Sequence, residues 1–292
     1  MSELIRAGAQ SWYLEGPTQV GIIEAGEGKV WLIDAGGDKD AGRKIKKVLD
    51  EKGWTLSAIL CTHSHADHIG GCRYLQGQYG CPAYAPGGEV PFCRQPILEP
   101  ALLYGGCPPS ELRHKFLLAQ ACDALPLTDP GFPPEVEAIP LPGHYFDMVG
   151  YRAPDGVIFL ADCLASEETL GKYAVTFLLD PAAYLDTLHM VCTLEAPLFV
   201  PAHAPAAADI SPLTRVNIQK VEEIAGLLCE LCGTGTTFEH ILRQLFIRLG
   251  LTMTIQQHFL VGCTVKSYLT WLKETGRVTL RVEDNLLFWA KA

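Results

Sequence analysis

The chain has 292 residues, 48% hydrophobic and 19% charged, with a formal net charge of −10. This is the composition of a folded, water-facing protein long enough for one large or two modest domains, and its acidic balance without a basic stripe argues against a nucleic-acid binder. No apolar run approaches membrane-spanning length, and Met1-Ser-Glu-Leu-Ile-Arg6 has no basic region followed by an apolar one, so a cytoplasmic protein without a membrane partner is expected. The 11 cysteines are odd in number and irregular in spacing, which favours free thiols in a reducing compartment over a disulfide scaffold.

In chain order, the segments 19–24 and 29–34, joined by Ala25-Gly-Glu-Gly28, read as a hairpin. Residues 40–52 read as an amphipathic helix with a basic outer face. The apolar run 56–62 is strand-like and leads into Thr62-His-Ser-His-Ala-Asp-His-Ile-Gly-Gly71, where a helix begins. His63, His65, Asp67 and His68 thus crowd a strand-to-helix junction, the usual place for a site on an α/β scaffold. Neutral imidazole and carboxylate suit zinc, and also iron or manganese. Two residues apart on extended backbone, His63 and His65 point the same way, while Asp67 and His68, past the turn, are free to face a second ion.

Residues 84–133 interrupt this plan with a turn-rich insertion that includes a helical stretch over 111–122. Its apolar residues Phe92, Ile97, Leu102, Leu103 and Tyr104 fall outside the core pattern; a cap over the site, a dimer contact and ordinary packing are all open readings. Pro142-Gly-His144 follows an apolar run, 157–162 reads as a strand ending in Asp162, and 198–203 as a strand ending in His203. Tyr145 either aims its hydroxyl into the pocket or packs as an aromatic, and Asp147 is a turn former or a more distant acid. His114, His189, His240 and His258 lie in helix-like stretches without a partner at ligand spacing and read as structural.

Proline and alanine after His203 mark a boundary. Helical patterns follow over 213–231, 238–249 and 254–275, then a hairpin over 277–290. Cys229 and Cys232 fall inside the apolar pattern of the first of these helices and read as buried thiols rather than a redox pair. Residues 214–292 hold nine Lys/Arg against seven Asp/Glu, a net +2 that leaves −12 for the rest, so packing or dimerisation is expected of this region rather than DNA reading. The domain expectation is 1–212 with the insertion 84–133, then 213–292.

Taken together, His63, His65, Asp67, His68, His144, Asp162 and His203 resemble, in kind and order, the ligand set of the metallo-β-lactamase superfamily of dinuclear metallohydrolases, in its glyoxalase II-like form. The resemblance covers roughly residues 8–205. It implies an α/β (α+β) fold, the four-layer αββα sandwich, here followed by a helical, winged-helix-like C-terminal domain. It implies that His63, His65 and His144 hold one divalent ion and Asp67, His68 and His203 a second, with Asp162 bridging. Asp34, in Leu32-Ile-Asp-Ala-Gly36, matches the family's early strand-end aspartate that supports the site from behind. The ions are expected to be zinc, with iron or manganese open. The implied activity is hydrolysis of a small ester, thioester or lactone by a metal-bridging hydroxide, with Asp67 orienting the nucleophile's proton.

Tyr145, Phe92 and Tyr104 are the candidate pocket residues, the expected partner is a small-molecule substrate, and a homodimer is an open reading. A nuclease or phosphodiesterase and an iron-dependent oxidoreductase are the alternatives on the same fold. Flavodiiron relatives place an acid where His65 stands, which favours hydrolysis. The C-terminal region shows no basic pair of the kind glyoxalase II uses for glutathione.

Overall fold

Ile22 and Ile23, Leu32 and Ile33, and Ile59 and Leu60 are adjacent pairs whose members are all buried, but in different cores. Successive side chains of a strand point to opposite faces, so such pairs require a sheet covered on both sides. The computed structural model, which describes residues 3–292, contains that sheet. It runs β1 (Leu4–Arg6), β2 (Ser11–Leu14), β3 (Val20–Gly26), β4 (Lys29–Ile33), β5 (Thr55–Leu60), β6 (Ala83–Ala85) and β7 (Ala124–Pro126) in sequence order. The first four strands form an antiparallel meander, and β4 to β7 are parallel. A second sheet has the order β11-β10-β9-β8, from β8 (Glu137–Pro140), β9 (Val149–Arg152), β10 (Ile158–Ala165) and β11 (Phe199–His203).

The chain divides into two compact units. The first comprises the chain up to Pro142 together with Phe146–Leu164 and Leu194–Ile210. Within it, Ile22, Leu32 and Ile59 pack with Ile45 and Leu49 of α1 (Lys39–Lys52) on one face of the large sheet. Beyond α1 the same unit holds α2 (Ala66–Ile69), α3 (Cys72–Tyr79), α4 (Val90–Arg94) and α5 (Leu98–Tyr104). On the other face Ile23, Ile33 and Leu60 meet Val149, Tyr151, Phe159 and Val200 of the small sheet. This is the helix–sheet–sheet part of the expected sandwich. The helix α1 starts at Asp38, whose side chain caps the amides of Asp40 and Ala41, and ends at Gly53 in the left-handed conformation. Among the described residues no cysteine is in a disulfide, and Cys61, Cys72, Cys93 and Cys122 are core residues of this unit.

The second unit holds Gly143–Tyr145, Ala165–Thr193 and Ser211–Ala292. It contains α6 (Glu167–Tyr173), α7 (Pro181–Val191), α8 (Ser211–Cys232), α9 (Phe238–Arg248), α10 (Ile255–Glu274) and the hairpin of β12 (Val278–Glu283) and β13 (Leu286–Lys291). Three helices followed by a hairpin is the order expected of residues 213–292. The hairpin turns at Asp284 and Asn285, both with positive φ (48° and 62°), as a two-residue turn between twisted strands requires. Buried Asn217 ties α8 to Ala165 by accepting from its amide and donating to its carbonyl. Cys229 and Cys232 are buried on α8, as expected.

Three expectations change. The helix over 111–122 is only a 3-10 turn at Ser110–Leu112, and at the far end of the stretch tertiary partners take the backbone. Cys122 donates its amide to Cys93, and the Gln76 side chain brackets Asp123. The large sheet claims residues 84–85 and 124–126 of the 84–133 segment, as β6 and β7, which leaves 86–123 as the insertion between them. Finally, Asp162 does not end its strand: β10 runs on to Ala165, and the positive φ of Ala161 (50°) precedes the aspartate.

Candidate metal centre

Asp34 follows β4 in the left-handed conformation (φ 64°), and its amide donates to Leu60 O at 3.0 Å. That conformation costs an aspartate little, because its short polar side chain bonds locally. Here the buried carboxylate accepts the Thr62 amide at 2.8 Å and the Thr62 hydroxyl at 2.9 Å, and pairs with His68 Nδ1 at 2.8 Å. The end of β4 is thereby bonded to the loop after β5. The backbone completes the junction: Ala35 N donates to His68 O at 2.7 Å, and Gly71 N to Gly36 O at 3.1 Å. Gly70 and Gly71 are needed for this close approach, since a Cβ on either would overlap the backbone of Gly37 or Ala35.

Four histidines of the first unit, His63, His65, His68 and His203, each present one ring nitrogen inward and have an outer group beside the other. His63 has Nδ1 at 3.1 Å from Thr62 Oγ1 and Nε2 at 3.0 Å from His65 Nδ1. His68, held from outside by Asp34, turns Nε2 to Asp162 Oδ1 at 2.9 Å and Asp67 Oδ2 at 3.7 Å. His203 donates Nδ1–H to Pro17 O at 2.8 Å and turns Nε2 to Asp67 Oδ2 at 3.2 Å and Asp162 Oδ2 at 3.3 Å. His65 directs Nδ1 to His63 and Nε2 towards Glu99 Oε1, 4.0 Å away. One ligand atom from each of His63, His65 and Asp162 lies within 4.8 Å of the others, and the same holds for Asp67, His68 and His203. His144 belongs to the second unit, where it is buried, with the backbone of its turn accepting from Leu179 and Asp180 and its ring against Phe177.

Burial opposes ionisation of Asp67 and Asp162, yet the facing His68 and His203 outweigh it and hold both carboxyls well below their usual range. Burial likewise favours neutral imidazole, but Asp162 and Asp67 raise His203 to about 10 and His68 well above its ordinary value. Acid and imidazole thus stabilise each other's charged forms where cations would otherwise sit. The donor set is all nitrogen and carboxylate oxygen, which fits zinc, iron or manganese, and it is larger than one tetrahedral site takes. An outer hydrogen-bond partner on the far ring nitrogen is what fixes the tautomer of a ligating histidine.

The inserted segment contributes more than sequence reading shows. Glu89 is fully buried and accepts from the amide and hydroxyl of Ser64 and from the amide of Asp147, while Asp147 accepts in return from Gly88 N at 2.8 Å. Asp147 is therefore half of a clamp between the insertion and the turn after residue 144. Burial pushes the Glu89 carboxyl up to about 7, although its hydrogen bonds favour the ionised form. A cavity of about 440 Å³ opens beside Asp67, lined among others by Pro17, Thr18, Lys44, Lys115 and Phe116. Thr18 Oγ1 donates to Asp67 Oδ2 at 3.0 Å. The insertion reaches this cavity through Lys115 and Phe116, not through the expected aromatics. Phe92 instead stacks on Phe146, Tyr104 lies half exposed at the end of α5, and Tyr145 is buried. The one signal in the sequence for Glu89 and Glu99 was an isolated acid beside apolar or proline neighbours, such as Leu98 and Pro100.

The family model of the metallo-beta-lactamase superfamily matches residues 13–203. The chain is similar to the hydroxyacylglutathione hydrolase of Nitrobacter hamburgensis, 28% identical over 193 residues that cover 64% of this chain and 66% of that protein. It is also similar to the hydroxyacylglutathione hydrolase of Nitrobacter winogradskyi, 27% identical over 203 residues covering 66% and 68%. It thus spans about two thirds of the length of these relatives. Two solved structures share the fold: a beta-lactamase domain protein from Burkholderia ambifaria (TM-score 0.69, 18% identity, 99% of this chain and 94% of that one) and a metallo-beta-lactamase family protein from Thermus thermophilus (TM-score 0.70, 19% identity, 94% of each).

Proposed function

The chain belongs to the metallo-beta-lactamase superfamily, and we propose that it is a hydrolase that uses two divalent ions, zinc first among them, on a small thioester or ester. The observation that carries this reading is the inward convergence of His63, His65, His68 and His203 with Asp67 and Asp162, each imidazole with an outer group beside its other nitrogen. In this reading His144, which follows His68 in the order of the motif, completes the set of His63 and His65, and Asp162 serves both sets. Bound there, two divalent ions would supply Lewis-acid polarisation of the scissile carbonyl and lower the pKa of water towards about 7. Asp67 Oδ2, steadied by Thr18, orients the proton of the attacking water. Asp34 and Pro17 O keep the rings of His68 and His203 from turning as charge redistributes. The cavity beside Asp67 receives the substrate, with Phe116 as an apolar wall and Lys115, paired with Asp38 at 3.1 Å, at its rim. The thioester preference draws on the relatives named as hydroxyacylglutathione hydrolases.

Elemental analysis of metal-loaded protein should find two ions per chain, and a panel of thioester, lactone and phosphodiester substrates should show the thioester turned over fastest. Saturation at one ion would remove the dinuclear reading, and a preference for phosphodiesters would move the assignment to a nuclease.

Metal binding should also depend on pH in a stated direction. In the metal-free protein His203 is raised to about 10, above the ordinary value near 6.5. Its ion pairs therefore add stability that is fully present below about pH 6.5 and lost as pH rises through about 10. A metal needs the neutral ring and competes with that proton. The stabilisation by zinc should accordingly grow between pH 6 and pH 8, by up to about 1.4 kcal/mol per pH unit for each proton displaced, and the rise in Tm on adding zinc should grow with it. Calorimetry at the two pH values decides; a zinc effect that is flat or shrinks with pH would show that these rings do not bind the ion.

A further inference from the structure

We propose that Glu99, supplied by the inserted segment, is a positioning residue of the metal centre: it accepts the outward Nε2–H of His65 and so sets Nδ1 as the ligand atom. This rests on the two-ion reading above. His63, His68 and His203 have Thr62 Oγ1, Asp34 and Pro17 O beside their outward nitrogens, all from the sheet or its loops. His65 turns Nδ1 inward, 3.0 Å from His63 Nε2, and its outward Nε2 faces Glu99 Oε1 at 4.0 Å, within ion-pair reach. Glu99 is buried to 7% exposure in α5, between Leu98 and Pro100. A buried carboxylate costs free energy unless something charged or hydrogen-bonding faces it, and local packing alone would be served better by leucine. A carboxylate behind a ligating histidine orients the ring and raises its basicity.

A second set of contacts shows that the insertion and the metal loop are built together. Glu89, ten residues before Glu99, accepts from both the amide and the hydroxyl of Ser64, the residue between His63 and His65. The insertion therefore grips the loop at two successive residues, Ser64 and His65. A segment that only covered the substrate would have no need to do so.

The test uses the full chain carrying Glu99→Leu and Glu99→Gln, with stepwise zinc affinities measured by competition with a chromophoric chelator. In the metal-free protein Glu99 Oε1 stands 4.0 Å from His65 Nε2, so an apolar side chain of similar size gives up only a long contact and keeps the space filled; metal-free Glu99→Leu should melt near the wild-type temperature. One zinc step should nonetheless weaken by about 10–100-fold, as loss of an outer partner typically does, while the other stays unchanged. Glu99→Gln keeps an acceptor oxygen and should lose less. In a His65→Ala background, Glu99→Leu should cost nothing further. Wild-type affinity in both steps of Glu99→Leu, or an equal loss in the His65→Ala background, would overturn the proposal. If the wild type itself takes up a single ion, it is the two-ion reading that fails, and Glu99 is then judged on the affinity of that ion.

Discussion

Asp162→Ala should abolish turnover more completely than any other single substitution outside the histidines. Asp162 is the one carboxylate that faces members of both ligand groups: its oxygens lie 2.9 Å from His68 Nε2 and 3.3 Å from His203 Nε2, and it clusters with His63 and His65. In the proposed two-ion reading it would lie between the cations, hold their separation and offset their repulsion, tasks that no neighbouring side chain could take over together. Asp34→Asn removes only an outer partner and should cost about 10–100-fold in activity or metal affinity. Tyr104→Ala, at a half-exposed residue on the insertion, should leave the metal content unchanged. Metal content and turnover measured side by side for the three variants give the ranking. An Asp162→Ala protein that binds two ions and turns over at near-normal rate would take Asp162 out of the bridging position.

Gly70→Ala should be among the most destabilising single-methyl additions in the chain. Its Cβ would overlap the carbonyl group of Gly37 and crowd the Ala66 oxygen, and these are backbone atoms that cannot rotate away. Overpacking typically costs about 1–3 kcal/mol and occasionally more, and here the strain falls on the helix that carries Asp67 and His68. Relaxation would pull α2 away from Asp34, so metal affinity should fall together with stability. Gly77→Ala is the control. Gly77 sits in α3 with open space around its Cα, and alanine there should stabilise by about 0.5–1 kcal/mol. Urea midpoints of the two metal-free variants should move in opposite directions; if Gly70→Ala moves with Gly77→Ala, the close-packing account of the Gly-Gly pair is wrong.

The local patterns were legible in the sequence. The β3–β4 hairpin, α1, the strand ending at His203 and the helix–helix–helix–hairpin order all lie where hydrophobic period and turn residues put them. The 3-10 turn at Ser110–Leu112 was not legible. Its helix-like spacing of apolar residues is real, but Cys93 and the Gln76 side chain claim the backbone of Cys122 and Asp123. Nor was it legible which aromatic borders the cavity beside Asp67. Phe92 and Tyr104 are as apolar as Phe116, and only the path of the insertion decides which aromatic borders the cavity.

By itself, the sequence determined which imidazoles and carboxylates are candidate ligands, their order and the class of chemistry such groups support, because imidazoles and carboxylates at the ends of apolar runs are a local signal. The tertiary structure alone decided which nitrogen of each ring faces inward. That choice depends on the group behind the ring, and those groups come from remote parts of the chain: Asp34 meets His68 across 34 positions and Pro17 meets His203 across 186. It also decided that the insertion takes part in the site, because a buried Glu89 or Glu99 is favoured only where folding brings Ser64 or His65 against it. Such a pairing leaves no period or spacing along the chain.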